Sequence, residues 1–335
     1  MKFVVKNRAS AILFNLLKSN SSDLIWLIPS NCCPIVPITF LKANKRFELI
    51  DINNQNLCID ENIFWKKIYE QPTSYAGMIY IDNYGIESNP LSFFQSIKKK
   101  NPNFLIIHDK CLSKPTLSFT NIVDATLYST GYSKYVDLTI GGYAIIVDEI
   151  NYIDQINTVF NILELSELEN IYKKAFQLNQ PLNYKDSNWL NLSDLDVSDD
   201  RYFEKIEQRM SLIDEQKIKI NNIYSNSIPD SIQLSEGFQN WRFNILVNSK
   251  DILLKEIFSQ NLFASSHYNS LAVLFSNEQF QVTNALFNNV INLFNDFHIN
   301  ETQVIKICTI INKHIGKYGS VSNKHCLKSI MKNSK

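Results

Sequence analysis

The 335-residue chain balances 33 Lys plus Arg against 33 Asp plus Glu, so no strong overall field draws it to nucleic acid or to an anionic membrane. Its hydrophobic content of 45% is ordinary for a globular protein, and its length suits two domains, or one large α/β domain with a smaller companion. No run of about 18 apolar residues appears, so a spanning helix is not expected. Six cysteines (32, 33, 58, 111, 308, 326) are scattered without CxxC spacing, which points to a reducing cytoplasm rather than a disulfide framework. Cys32 and Cys33 are adjacent and poorly placed to ligate one ion together, so no metal is expected.

The opening residues MKFVVKNRASAILFNLLKSN begin with a basic stretch, but polar residues interrupt the apolar part and no small-residue cleavage site follows. They read as a folded helix. Short runs rich in Ile and Val then recur at 24–28, 47–52, 78–81, 104–108, 125–129 and 143–147. Such runs, apolar on both faces, suit buried strands of a largely parallel sheet. Helical stretches at 33–43, 61–70 and 90–99 lie between them, giving the βαβ rhythm of a doubly wound fold. Residues 151–182 read as helical and 183–198 as a polar loop. Phe203, Ile206, Met210 and Ile213 fall at helical spacing and predict a long amphipathic helix over 199–225 that links two domains, 1–225 and 226–335. In the second domain 241–247 and 262–266 read as strands, and 251–260, 277–294 and 301–315 as helices. Asn300 with Gln303 three residues on makes a capping box for the last helix.

The chemistry concentrates between residues 106 and 147. Asp109 follows an apolar run and sits at the carboxyl end of a predicted strand, where ligands bind in open α/β sheets. A carboxylate there can keep a pyridine nitrogen protonated; equally, an aspartate can simply cap the next turn. Lys134 has Ser129 five residues upstream and Gly141-Gly142 seven and eight residues downstream. In a desolvated site its amine can lose its proton, form an imine and act as general acid and base; alone it would read as a solvated surface lysine. Acid, hydroxyl and amine on one rigid sheet make pyridoxal phosphate the leading cofactor expectation.

Several segments resemble the DegT/DnrJ/EryC1 family of sugar aminotransferases. NRASAILFNLL (7–17) is similar to that family's opening helix, and WLIPSNCCPIVPITFLKANKRFELIDI (26–52) to the run that follows it. IIHDKC (106–111) resembles the segment carrying its ring-nitrogen aspartate, and YSTGYSKYVDLTIGG (128–142) its cofactor-lysine segment in both serine and glycine spacing. FNILVNSKDILLKEIFSQNLFASSHYNSLA (243–272) and VINLFNDFHINETQVIKICTII (290–311) resemble its small-domain segments.

The resemblance implies a fold type I pyridoxal-phosphate transferase: a large domain with a mostly parallel, seven-stranded sheet flanked by helices, and a smaller C-terminal α/β domain. It implies that Lys134 bonds the cofactor and is catalytic, that Asp109 partners the pyridine nitrogen, and that Ser129 with Ala9 and Ser10 holds the phosphate. A helix start suits an anion, although Ser10 can also be a plain cap. Cys33 stands in the cofactor-facing segment. Arg242, His267 and Tyr132 fall near substrate-facing positions, with Tyr84 as a further pocket candidate; for Arg242 an edge-strand surface cation is the plain alternative, for His267 a structural hydrogen bond. The implied reaction passes an amino group from an amino acid donor, glutamate foremost, to a keto acceptor, a nucleotide-linked sugar, in a homodimer. This chain departs from the family's pattern in three places. No stacking ring occupies 31–33, Leu112 stands three residues after the aspartate where a polar side chain is common, and the cross-subunit phosphate segment has no clear counterpart between residues 183 and 209. Those departures keep a non-catalytic member of the scaffold in view, and other carbanion chemistry stays open because relatives run it on the same scaffold; sugar dehydratases carry histidine in place of the lysine, and Lys134 argues against them.

Overall fold

The computed structural model describes residues 1–155, 159–320 and 327–332; Cys326 lies outside the described residues. The first part of the chain forms β1 (Lys2–Lys6), α1 (Ala9–Ser19), β2 (Ile25–Pro29), α2 (Ile35–Lys42), β3 (Phe47–Ile50), α3 (Glu61–Glu70), β4 (Tyr75–Ile81), α4 (Leu91–Lys100), β5 (Leu105–Asp109), β6 (Ala125–Ser129) and β7 (Gly142–Ile146). Helices α5 (Ile162–Leu178) and α6 (Asp199–Ser227) follow. The chain ends in β8 (Phe243–Leu246), α7 (Lys250–Ser259), α8 (Ala272–Phe275), α9 (Gln281–Phe287), β9 (Val290–Leu293) and α10 (Glu301–Tyr318).

Seven strands make one sheet in the order β1-β7-β6-β5-β4-β2-β3. β3, β2, β4, β5 and β6 pair in parallel, while β7 runs antiparallel to both β6 and β1. Every residue of β4 is buried, as expected for a strand covered on both faces. Residues alternate along the strands: Ile79, Ile107 and Leu127 face a core with α1 and α2, whereas Met78, Tyr80 and Ile106 pack with Phe64, Phe93 and Phe94 from α3 and α4. The predicted mostly parallel α/β sheet is the observed one.

Four local readings are corrected. The opening residues are not helical throughout: Lys2–Lys6 form β1, because KFVVK alternates and its Val4 and Val5 favour the pleated edge offered by β7. Residues 151–155 are not helical, and α5 starts only at Ile162, where Asn161 caps it by accepting the Leu163 amide. The helix predicted over 277–294 breaks after α9, and Val290–Leu293 instead pairs antiparallel with β8. An isolated β8 would leave an unpaired edge, and the β-branched Val290 and Ile291 suit a strand. No strand spans 262–266; only Ser265 bridges to Asn292.

Helix α6 serves both parts of the molecule. Its Tyr202, Ile206 and Ile213 pack against Tyr128, Tyr143 and Ile145 of the large sheet, and its Ile220 and Tyr224 join the core around β8, β9, α7 and α10. Asp199 and Asp200 in its first turn complement the helix dipole. The capping box of Asn300 and Gln303 opens α10 as expected. Asp51, just past β3, accepts the amides of Val282 and Thr283 at 3.0 and 3.1 Å and so caps α9 across the molecule. Among the described residues no helix is long and apolar enough to cross a membrane.

Gly142, the first residue of β7, sets how closely α1 approaches the sheet. A methyl group there would meet the Ala9 amide nitrogen and lie 2.7 Å from the Ala9 Cα. Gly142→Ala is expected to cost about 1–3 kcal/mol of stability through overpacking against backbone, read as a lower urea midpoint at unchanged m-value.

Candidate functional site

β5 ends in Asp109 and β6 in Ser129, both at the carboxyl edge of parallel strands. At that edge lies a cavity of about 460 Å³. Ala9, Ser10, Cys33, Asp109, Ser129 and Lys134, all singled out in the sequence, line it, and Tyr132 stands at its mouth with 67% exposure. A larger cavity of about 700 Å³ shares no residue with it, being lined by Lys110, Lys114, Tyr143 and Phe203 among others. Asp109, Ser129 and Lys134 all border the smaller cavity and none of them borders the larger one, so size does not mark the predicted site.

The carboxylate of Asp109 is buried and its Oδ1 accepts the Cys111 amide at 2.8 Å, which fixes its orientation. The Ser129 hydroxyl accepts a hydrogen bond from the Gly131 amide at 3.3 Å and lies 3.5 Å from the Gly141 carbonyl. Lys134 is half-buried, and among the described residues its amine forms no hydrogen bond or ion pair. Helix α1 begins at the same cavity with no side chain capping its first amides and no acid in its first turn, leaving a ready anion site. Burial pushes the thiols of Cys33 and Cys111 up; nearby Lys134 pulls both back, and Asp109 raises both further. Both thiols are therefore neutral at physiological pH.

The loop between β6 and β7 that carries Lys134 is built tightly. The Thr130 amide donates to the Gly141 carbonyl and the Leu138 amide to the Thr130 carbonyl, at 3.0 and 2.8 Å. The Thr130 hydroxyl meets the Ile140 carbonyl and the Tyr202 hydroxyl, each at 2.7 Å. Gly141 has φ +97, and a methyl group there would stand 2.6 Å from the Thr130 hydroxyl oxygen. The double glycine is thus required by both conformation and space.

No protein-family model matches the sequence, and neither does any curated protein. Solved structures do match. A candidate sugar aminotransferase of Streptococcus pneumoniae in its PMP form superposes with TM-score 0.70 at 16% identity, over 95% of this chain and 88% of that one. A DegT DnrJ EryC1 StrS aminotransferase from Brucella abortus gives 0.67 at 14%, over 95% and 87%. Helicobacter pylori PseC, an aminotransferase involved in the biosynthesis of pseudoaminic acid, gives 0.67 at 15%, over 95% and 88%. The chain has the fold type I architecture of these aminotransferases. At such identities it is the fold that the likeness establishes, over nearly the whole of each chain.

Two of the expected substrate-facing residues are not at this cavity. Arg242 is 3% exposed and lies just before β8, not on a surface edge; its guanidinium donates to Ser265 Oγ at 3.0 Å and to Ser133 Oγ, and sits 3.6 Å from the Phe294 ring centre. Burial lowers its pKa to about 10. His267 packs beside Trp241, and burial, with help from Arg242 and Lys134, lowers its pKa to about 4, so the ring is neutral. Tyr84 is wholly buried, its hydroxyl bonded to the His267 carbonyl. Sequence reading passed over Cys111, Phe160 and Asn191, which also line the cavity. Cys111 was within reach, two residues past Asp109; Phe160 and Asn191 arrive from distant loops without a local signal.

Proposed function

We propose that this chain is a pyridoxal-phosphate-dependent aminotransferase that passes an amino group from an amino acid donor, glutamate, to a nucleotide-linked keto sugar. One observation carries the reading: Asp109, Ser129, Lys134 and the uncapped start of α1 line a single cavity. The likeness in fold to solved sugar aminotransferases supports it.

The donor set fits the cofactor. An uncapped helix start and a hydroxyl suit a phosphate, a buried carboxylate suits a protonated pyridine nitrogen, and an amine free of hydrogen bonds and ion pairs suits an aldehyde. Bound there, pyridoxal phosphate would supply an electron-withdrawing ring that stabilises negative charge on the carbon next to a substrate nitrogen. Ala9, Ser10 and Ser129 would hold its phosphate, Asp109 would hold the ring proton, and the Cys33 thiol would border the ring. The Lys134 Nζ would hold the aldehyde carbon and, once displaced by donor, carry the proton at the substrate carbon. Tyr132 and Ile140, exposed apolar residues on the lining of this cavity, suit burial in a homodimer, and the cytoplasm suits the free thiols.

The test is spectroscopic. Purified protein given pyridoxal phosphate should develop a near-visible band; glutamate should bleach it with release of the keto acid, and a nucleotide-linked keto sugar should restore it. Absence of the band would overturn the reading, and a sugar product formed without consumption of glutamate would redirect it to other carbanion chemistry on this scaffold.

A further inference from the structure

We propose that Arg242 and Trp241 form a clamp, reaching from the β8–β9 unit, that positions Lys134 through its neighbour Ser133. The proposal deepens the cofactor reading above and rests on it for its meaning, though not for its geometry. All three polar groups of Ser133 are engaged. Its amide donates to Asp137 Oδ2 at 2.6 Å, its carbonyl accepts the Trp241 indole N–H at 2.9 Å, and its hydroxyl accepts from the Arg242 guanidinium. Ser133 also has φ +59, the left-handed region that a serine adopts only when its surroundings hold it there.

The guanidinium is itself fixed from several sides. Its second terminal nitrogen donates to Ser265, the faces of Phe294 and Trp241 flank it at 3.6 and 4.7 Å, and its buried Nε has no partner. A buried cation with one donor unsatisfied is costly to the fold, and its bonds to Ser133 and Ser265 offset that cost. Asp137, the third contact of Ser133, faces His298 at 3.7 Å, and His298 is bonded to Asp296 at 2.8 Å, so the same unit braces the loop twice. The consequence is that the direction of the Lys134 side chain is set by the seating of the β8–β9 unit on the large sheet. Arg242 is therefore a positioning residue and makes no contact with the reacting atoms.

The experiment compares wild type with Arg242→Ala, Arg242→Lys and Ser133→Ala, and with the Ala/Ala double variant. Amide hydrogen exchange of the 130–139 segment is measured without cofactor, and the rate of cofactor attachment to Lys134 is measured by borohydride trapping and mass spectrometry. Loss of the charge-assisted bond should speed exchange of the segment and slow attachment by about tenfold each, with Arg242→Lys recovering part of both and the double variant no worse than the worse single. Unchanged exchange and attachment in both alanine variants would overturn the clamp. If Arg242→Ala fails to fold, Ser133→Ala, at the other end of the same bond, decides the question alone. If wild type takes up no cofactor, the functional reading fails while the exchange measurement still judges the clamp.

Discussion

Replacing Lys134 with alanine is expected to abolish the near-visible band that wild type develops with pyridoxal phosphate, and to cut turnover by at least about 10²–10⁴, the range for losing a positioned general acid–base group. Folding should be almost untouched. The amine makes no hydrogen bond or ion pair among the described residues and the side chain is half-buried, so the stability change should stay within about 0.5 kcal/mol. Lys114→Ala is the control: its amine pairs with Asp214 at 2.5 Å and lines the other cavity, so the band should persist. A band that survives in the Lys134 variant, or vanishes only because the protein unfolds, would count against the assigned role. Circular dichroism separates those outcomes.

The second large effect concerns Lys217 on α6, the most deeply buried amine in the linking helix. Its Nζ donates to the Trp241 carbonyl at 2.7 Å and to Asn295 Oδ1 at 2.8 Å, and it lies 4.9 Å from the Tyr135 ring centre. Burial lowers its pKa from 10.5 to about 7, with Asp296 and Asp214 opposing and Arg242 assisting. Between those two pH values the unfolded chain binds a proton that the folded chain does not, so stability rises with pH across that window and is flat below it. The rise assigned to this amine is roughly 3–5 kcal/mol. Lys250, lowered to about 8 by burial, has the same sign, so the difference between proteins is the decisive quantity. Lys217→Met should flatten the rise in urea midpoint from pH 7 to 10 relative to wild type. Parallel curves for the two proteins would show that Lys217 is not the titrating group.

Much of this was legible because it is local. The acid that ends β5 and the Ser129, Lys134 and Gly141-Gly142 spacing lie within 34 residues of one another in the sequence, and the structure brings Asp109, Ser129, Lys134 and Gly141 to one cavity. Six of the seven strands of the large sheet were legible for the same reason, as short apolar runs covered on both faces. The errors came where pairing overrode local pattern. VINL at 290–293 carries the apolar content of a helix end, and only the presence of β8 makes it a strand. KFVVK looked like the start of a helix because its partner, β7, lies far along the chain. The bond of Arg242 to the Ser133 hydroxyl, 109 residues away, was beyond what spacing can reveal. A buried arginine and an exposed one have the same letter.

The pairing of β1 with β7 has a consequence for the birth of the protein. Lys2 is matched to Ile146, so the strand of this sheet that is synthesised earliest is among the last to be satisfied. At about 5–20 residues per second, β1 waits roughly 7–30 s for its neighbour to appear. During that interval its unpaired edge is open to wrong partners, and the start of α1, which follows within three residues, has no sheet to rest on. The turn proposed to hold the phosphate is therefore completed late, once Gly142 has arrived beneath Ala9.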